Sequence, residues 1–224
     1  MNVQPQKRGP GRPPTGGRRE EILEAALSLF ADRGFHGTAI PDIAAAAGVA
    51  AGTIYRHFPS KEALVNVLYR RCKQELVDEV LTDLPRGAER EQFHGLWWRL
   101  VGYARRRPVA FAFLELHHHG DYLDADSRAL EVRALTPVAT FLADARRNGS
   151  IRAVPPQALM AAVWGAFVGL VKAARHGYLT LTDELCSQLE ATCWDAVRGP
   201  DSQRVQTSSL APDPGNDTQQ EGTR

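Results

Sequence analysis

The sequence predicts an all-α fold, and three observations carry that prediction. Apolar residues recur at three- and four-residue intervals, no stretch alternates apolar and polar residues as a half-buried strand would, and glycine or proline breakers separate the periodic segments. The predicted arrangement is a small N-terminal unit of three helices, two of them forming a helix-turn-helix, followed by a larger helical domain. With 224 residues, 43% of them hydrophobic, the chain can bury a sizeable core as one compact unit or two small ones. No internal repeat is present.

The first helix spans Arg19 to Arg33, where Ile22, Leu23, Ala26, Leu29 and Phe30 form one face, Gly34 stops the helix and Phe35 seals the turn. Thr38 opens the second helix, its hydroxyl capping the amide of Ile40 and Pro41 being tolerated in the first turn. Ile43, Ala44 and Ala47 follow at helical spacing, the small alanines permit a close neighbour, and Gly48 ends the helix. Val49 returns to the core, and Ala51 to Phe58 form a third helix with Ile54 and Phe58 inward. After Pro59, Ser60 caps a long helix whose stripe of Leu64, Leu68, Cys72, Leu76 and Val80 persists until Pro85 and Gly87, long enough to couple two domains. A helix from Glu89 to Arg106 directs Phe93, Leu96, Trp97, Leu100 and Val101 inward, and Pro108 opens the next, with Phe111, Phe113 and Leu114. Arg105, Arg106 and Arg107 mark that junction, where they could touch DNA or, the preferred reading, complement the helix dipole as a cationic C-terminus. Asp124 to Arg147 forms a helical region interrupted or bent at Pro137 and closed by Asn148-Gly149. Pro155-Pro156 introduces a strongly apolar helix, and Thr182 caps a last one that ends before Gly199-Pro200.

The inward positions of the third helix leave Ala51, Gly52, Thr53, Tyr55, Arg56 and His57 outside. Small residues there let the backbone approach base edges, Arg56 can reach guanine or phosphate, and Tyr55 and His57 can donate to phosphate oxygens. Lys61, at the start of the following helix, adds charge where free amides also favour phosphate. An ordinary helical hairpin with a solvated polar face has the same periodicity and remains an alternative. The linked motifs, EEILEAALSLFADRGF, the Thr38 cap, DIAAAAGV, GTIYRHF and PSKEALV, closely resemble the DNA-binding domain of the TetR family of bacterial transcriptional regulators over Arg18 to Leu68. That resemblance implies an N-terminal three-helix helix-turn-helix DNA-binding domain followed by a larger helical ligand-binding and dimerisation domain. It places DNA contacts on Thr38, Ala51, Thr53, Tyr55, His57 and Lys61, with Arg56 at a variable specificity position. Ala50 departs from the pattern, standing where such proteins often carry a serine or threonine cap, a loss of about 1 kcal/mol.

The net charge is only +1, but Lys7, Arg8, Arg12, Arg18 and Arg19 precede the first acidic residue and make a local basic arm. Within it GPGRPPTGGRR resembles a minor-groove AT-hook with Arg12 inserted and Arg18 nearby, although Pro10 replaces the arginine before the core glycine; a solubilising tail is the alternative. Cys72, Cys186 and Cys193 lack metal or disulfide spacing and read as small core residues. No apolar run reaches membrane-spanning length by this reading and no signal region is evident, so a cytoplasmic location is expected. No catalytic constellation is visible and no cofactor is expected.

The most conspicuous polar cluster is Glu115, His117, His118 and His119 with Asp121. It raises an alternative function, a metal-dependent enzyme or metal sensor using His117 to His119. Neighbours on a helix point about 100° apart, however, so only Glu115 with His118 or His119 shares a face, and His94 or His176 would have to complete a site. A helix end or the wall of a polar pocket are the other readings. The helices at about 155–176 and 183–198 are the homodimer candidates: Gly165 and Gly169 permit close contact, while Leu159, Val163, Trp164, Ala166 and Leu170 offer apolar surface. Burial of that helix in a single subunit is the alternative. The resemblance implies dimerisation through those two helices, a double-stranded DNA operator and a small-molecule effector of unknown identity. The expected domains are a flexible basic arm (1–15), the DNA-binding domain (16–76), the effector-binding and dimerisation domain (77–199) and a disordered tail (200–224).

Overall fold

The structure, a computed structural model, describes residues 15–83 and 87–200; Arg12, Pro85 and the proposed tail lie outside them. Among the described residues the chain forms α1 (Thr15–Arg33), α2 (Ile40–Ala46), α3 (Ala51–His57), α4 (Lys61–Leu81), α5 (Glu89–Arg106), α6 (Pro108–Glu115), α7 (Ala125–Arg147), α8 (Pro156–Arg175) and α9 (Asp183–Val197). The all-α prediction holds. One isolated antiparallel bridge, between Ile151 and Arg198, fastens the α7–α8 linker to the end of α9, with Arg152 N–H donating to Val197 O at 2.9 Å.

The three N-terminal helices close on a core of Ile22, Leu23, Ala26, Phe30, Ile43 and Ile54, all essentially inaccessible. That core continues along α4 through Leu64, Leu68, Cys72, Leu76 and Val80 into the aromatic interior of the second half, where Trp97 meets Phe167 edge to face and Phe111 does the same. α4 runs unbroken through residues 76 and 77, so one rigid element carries both halves. Ser60 caps it as predicted, its Oγ accepting from the amide of Ala63 at 3.0 Å.

Two expectations are corrected and one is narrowed. Thr38 does not cap α2. Its hydroxyl is buried and donates to the carbonyls of Gly34 at 2.8 Å and Leu29 at 3.2 Å, because Ala39 is the extended residue preceding the helix and Thr38 lies one position too early. Of the two readings at Pro137, the interruption is excluded: α7 continues through it, Pro137 is exposed and the helix is held at both ends, with Asp124 Oδ1 accepting from the Ser127 amide and the face at Leu130, Leu142 and Ala145 buried. α8 is, by length and composition, apolar enough to cross a membrane, contrary to the sequence reading. Here one side of it is committed to the protein, with Leu159, Phe167 and Leu170 buried, while Gly165 and Gly169 face open space.

Candidate nucleic-acid interface

The helix-turn-helix owes its shape to two glycines. Gly34 (φ +70°) ends α1 and Gly48 (φ +63°) ends α2, both in the left-handed region where a side chain is strained. After Gly48 the amide of Val49 donates back to Ala44 O at 2.9 Å, and the chain turns into α3. Ile54 and Phe58 pin α3 to the core, which leaves Gly52, Tyr55 and Arg56 exposed and Ala51, Thr53 and His57 half-buried. Tyr55 is 54% exposed, high for an aromatic residue and open to a partner. Neither α2 nor α3 has a side-chain cap, since alanines occupy both cap positions, Ala39 and Ala50.

The predicted contact residues do not all share that surface. Thr38 is buried, so its hydroxyl is a brace between α1 and the turn and has no route to a phosphate. His57 turns Nε2 inward, where it is buried and finds no partner among the described residues, leaving only the rest of the ring for an outside contact. Lys61 rests its ammonium 4.2 Å from the centroid of the Phe35 ring, and burial lowers its pKa against a smaller opposing effect of Glu62. Arg18 is paired with Glu21 at 2.8 Å, so a phosphate would compete with that carboxylate. Arg19 was not singled out as a contact from sequence; its guanidinium lies 5.3 Å from the Phe58 centroid, holding a cation beside α3. Nothing in the local pattern signals that contact, because Arg19 and Phe58 meet only through the fold.

The second half contributes two further features. Its histidines do not converge, because α6 ends at Glu115 and His117 to His119 occupy an irregular turn. His117 Nε2 lies 2.9 Å from Ala31 O, at the C-terminal end of α1, where Arg175 also donates at 3.3 Å. His119 is buried, with Nε2 at 2.6 Å from Phe113 O and Nδ1 at 2.8 Å from the Tyr122 hydroxyl, and burial lowers its pKa. A neutral ring with Nε2–H donating and Nδ1 accepting satisfies both contacts. His118 points to solvent near Asp121, His94 approaches Glu190 at 3.3 Å, and His176 lies beside Tyr178. No group of three metal-ligating side chains occurs among the described residues, so the metal reading loses its geometric basis. Arg105 and Arg107 pair with Asp183 and Glu75, at 2.6 and 2.8 Å, and Arg106 pairs with Glu79; they tie α5 to α9 and α4 in addition to any dipole effect.

The other feature is a cavity of about 410 Å³ lined by α4, α5, the end of α6, α7, α8 and α9. Its wall is mainly Leu, Val, Phe and Trp, as expected of a small-molecule site. At one end Lys73 donates to Glu115 Oε1 at 3.2 Å, and Trp164 Nε1 donates to Glu115 Oε2 at the same distance. The last residue of α6 therefore lies in the cavity wall, while His117, two residues on, grips α1. Sequence inspection could not find this site, whose walls come from six helices.

Residues 22–68 match the family profile described as bacterial regulatory proteins, tetR family, and residues 69–199 match that described as the tetracyclin repressor-like C-terminal domain. The HTH-type transcriptional repressor KstR2 of Rhodococcus jostii is 50% identical over 60 residues, covering 27% of this chain and 29% of that protein. The chain thus spans less than a third of the length of the KstR2 relatives it matches. A protein named probable acrEF/envCD operon repressor, from Escherichia coli K12, is 30% identical over 166 residues, 69% of this chain and 74% of that protein. Among solved structures, a TetR family transcription regulator from Marinobacter aquaeolei VT8 superposes with a TM-score of 0.71 at 26% identity, covering 82% of this chain and 97% of the other. With both halves matched in order, and an exposed α3 followed by a helical body that holds an apolar cavity, the chain belongs to the TetR family of bacterial regulatory proteins.

Proposed function

We propose that the protein is a DNA-binding transcriptional repressor that acts as a homodimer on a pseudo-palindromic operator and is released by a small-molecule effector. The observation that carries the reading is α3, anchored by Ile54 and Phe58 and presenting Gly52, Tyr55 and Arg56 outward. One such helix per protomer would enter a major groove, the two centres lying about 34 Å or a multiple of that apart. The proposed contact set is Ala51, Gly52, Thr53, Tyr55, Arg56, His57 and Lys61, with Arg18 and, in the arm, Arg12. Family membership and the relatives named as repressors support this reading over catalysis, and operator binding would place the protein in the cytoplasm with the chromosome.

The dimer is assigned to the outer faces of α8 and α9, revising the residues named from sequence. Leu159 and Leu170 are buried within the protomer and Val163, Trp164 and Ala166 pack against its core, whereas Ala158, Ala162, Gly165 and Gly169 face outward. Such a small-residue surface suits a close symmetric helix pair. The effector would occupy the cavity and bias the segment from Glu115 to His117 that holds α1; it releases DNA only by binding the non-binding conformation more tightly.

Selection of duplexes from a random pool, with affinity followed against salt, tests the reading. An inverted repeat with steep salt dependence is expected. Tyr55→Ala should weaken binding to all sequences, whereas Arg56→Ala should relax preference at one position by about 1–3 kcal/mol. Recovery of no repeat, or unchanged binding in both variants, contradicts the contact assignment.

A further inference from the structure

The cavity wall is polarised, and its charges do not cancel. Among the described residues Lys73, Glu115 and Glu131 are the charged side chains lining it, one cation against two carboxylates. They lie at the same end: Lys73 and Glu115 are paired and about nine-tenths buried, and Glu131 stands exposed on the rim close to Tyr69. Tyr69 reports the local field, because burial first and the Glu131 and Glu115 carboxylates next push its phenol well above the ordinary range. Away from that end the lining is apolar apart from Gln157, and the step from Lys73 to Leu81 along α4 alone spans about 12 Å.

An anionic head would share Lys73 with Glu115, whose carboxylate already holds that ammonium and the Trp164 N–H, and would add a third negative charge beside Glu131. A cationic head can leave the Lys73 and Trp164 bonds to Glu115 in place, and the repulsion from Lys73 is offset by two carboxylates rather than one. It balances the excess carboxylate and lies beside the aromatic ring of Trp164, where a desolvated cation is also favoured. We infer that the cavity takes an amphiphile with a single ammonium-like cationic head, seated between Glu115 and Glu131, and an apolar tail running toward Leu142 and Trp194. This rests on the reading of the cavity as the effector site. The head then acts on Glu115, the residue that ends α6 immediately before the turn gripping α1.

Three probes of equal chain length separate the possibilities: decyltrimethylammonium, decanol and decanoate, each titrated below its micelle concentration into the full-length protein. Tryptophan fluorescence follows binding, since Trp97, Trp164 and Trp194 line the cavity. The ammonium probe is expected to bind saturably, at least tenfold more tightly than decanol or decanoate. Glu131→Gln, on the exposed rim where the fold tolerates it, is expected to reduce that preference at least threefold. Equal or tighter binding of decanol or decanoate, failure of the ammonium probe to bind, or an unchanged preference in Glu131→Gln overturns the assignment. Anisotropy of the labelled operator duplex distinguishes the two readings: cation-selective binding without DNA release supports the ligand class and removes the effector role.

Discussion

Gly165 and Gly169 allow a test in which the folded protomer and the dimer respond with opposite sign. A Cβ built at either position meets nothing within 4 Å in the protomer, so a larger side chain starts into open space there. Leucine is a better helix former than glycine by about 0.5–1 kcal/mol, so the pair of substitutions should favour α8 by about 1–2 kcal/mol in an isolated protomer. If the same face is the isologous dimer contact, each leucine overpacks it by about 1–3 kcal/mol, and symmetry places four of them in one interface. The expected loss is roughly 4 kcal/mol or more, close to a thousandfold in the dimer dissociation constant. Sedimentation equilibrium of Gly165→Leu/Gly169→Leu against wild type measures that constant, far-ultraviolet circular dichroism verifies helicity, and operator affinity should fall in parallel. A variant that dimerises as tightly as wild type would refute the assignment of this face.

Other outcomes follow from the same structure. Ala39→Ser and Ala50→Ser supply the caps that α2 and α3 lack, and each should raise the free energy of unfolding in urea by about 1 kcal/mol. His57→Leu removes a buried, unpartnered nitrogen, so it should raise stability by about 1 kcal/mol while weakening operator binding in a gel-shift titration. For His119 the folded pKa lies below the unfolded value of about 6.5, so the unfolded chain takes up the proton first as pH falls. Its contribution is therefore fully present above about 6.5 and is lost as pH drops from there toward the folded value. His119→Gln, which can keep a donor toward Phe113 O and an acceptor toward Tyr122, should flatten that part of the urea-midpoint profile between pH 7.5 and 5.

Local chemistry made most of the elements legible. The stripe Leu64, Leu68, Cys72, Leu76 and Val80 marks α4 because a helix repeats every 3.6 residues, and Ser60 marks its start because a hydroxyl can take up a free amide. The outward set on α3 was readable for the same reason, since Ile54 and Phe58 fix which side remains. Single-residue roles were less legible: Thr38 and Ala39 differ by one position, and which of them precedes α2 depends on how α1 ends and what its carbonyls need. At Pro137 the helix continues rather than ends because a proline removes one backbone bond, a cost that a helix capped at Asp124 and buried along Leu130 and Leu142 sustains.

The sequence by itself determined the helical class, the order of the elements and the groove-facing composition of α3, all set by residues within a few turns of one another. Tertiary structure alone decided what the polar residues do. Adjacent histidines separated into a clasp on Ala31, a buried link between Phe113 and Tyr122 and a solvated ring, because the chain leaves helical geometry after Glu115. Lys73, Glu115, Glu131 and Trp164 meet at one cavity end although each belongs to a different helix. Periodicity specifies the face on which a side chain lies, but the partner across that face depends on how distant helices pack, and function here resides in those long-range meetings.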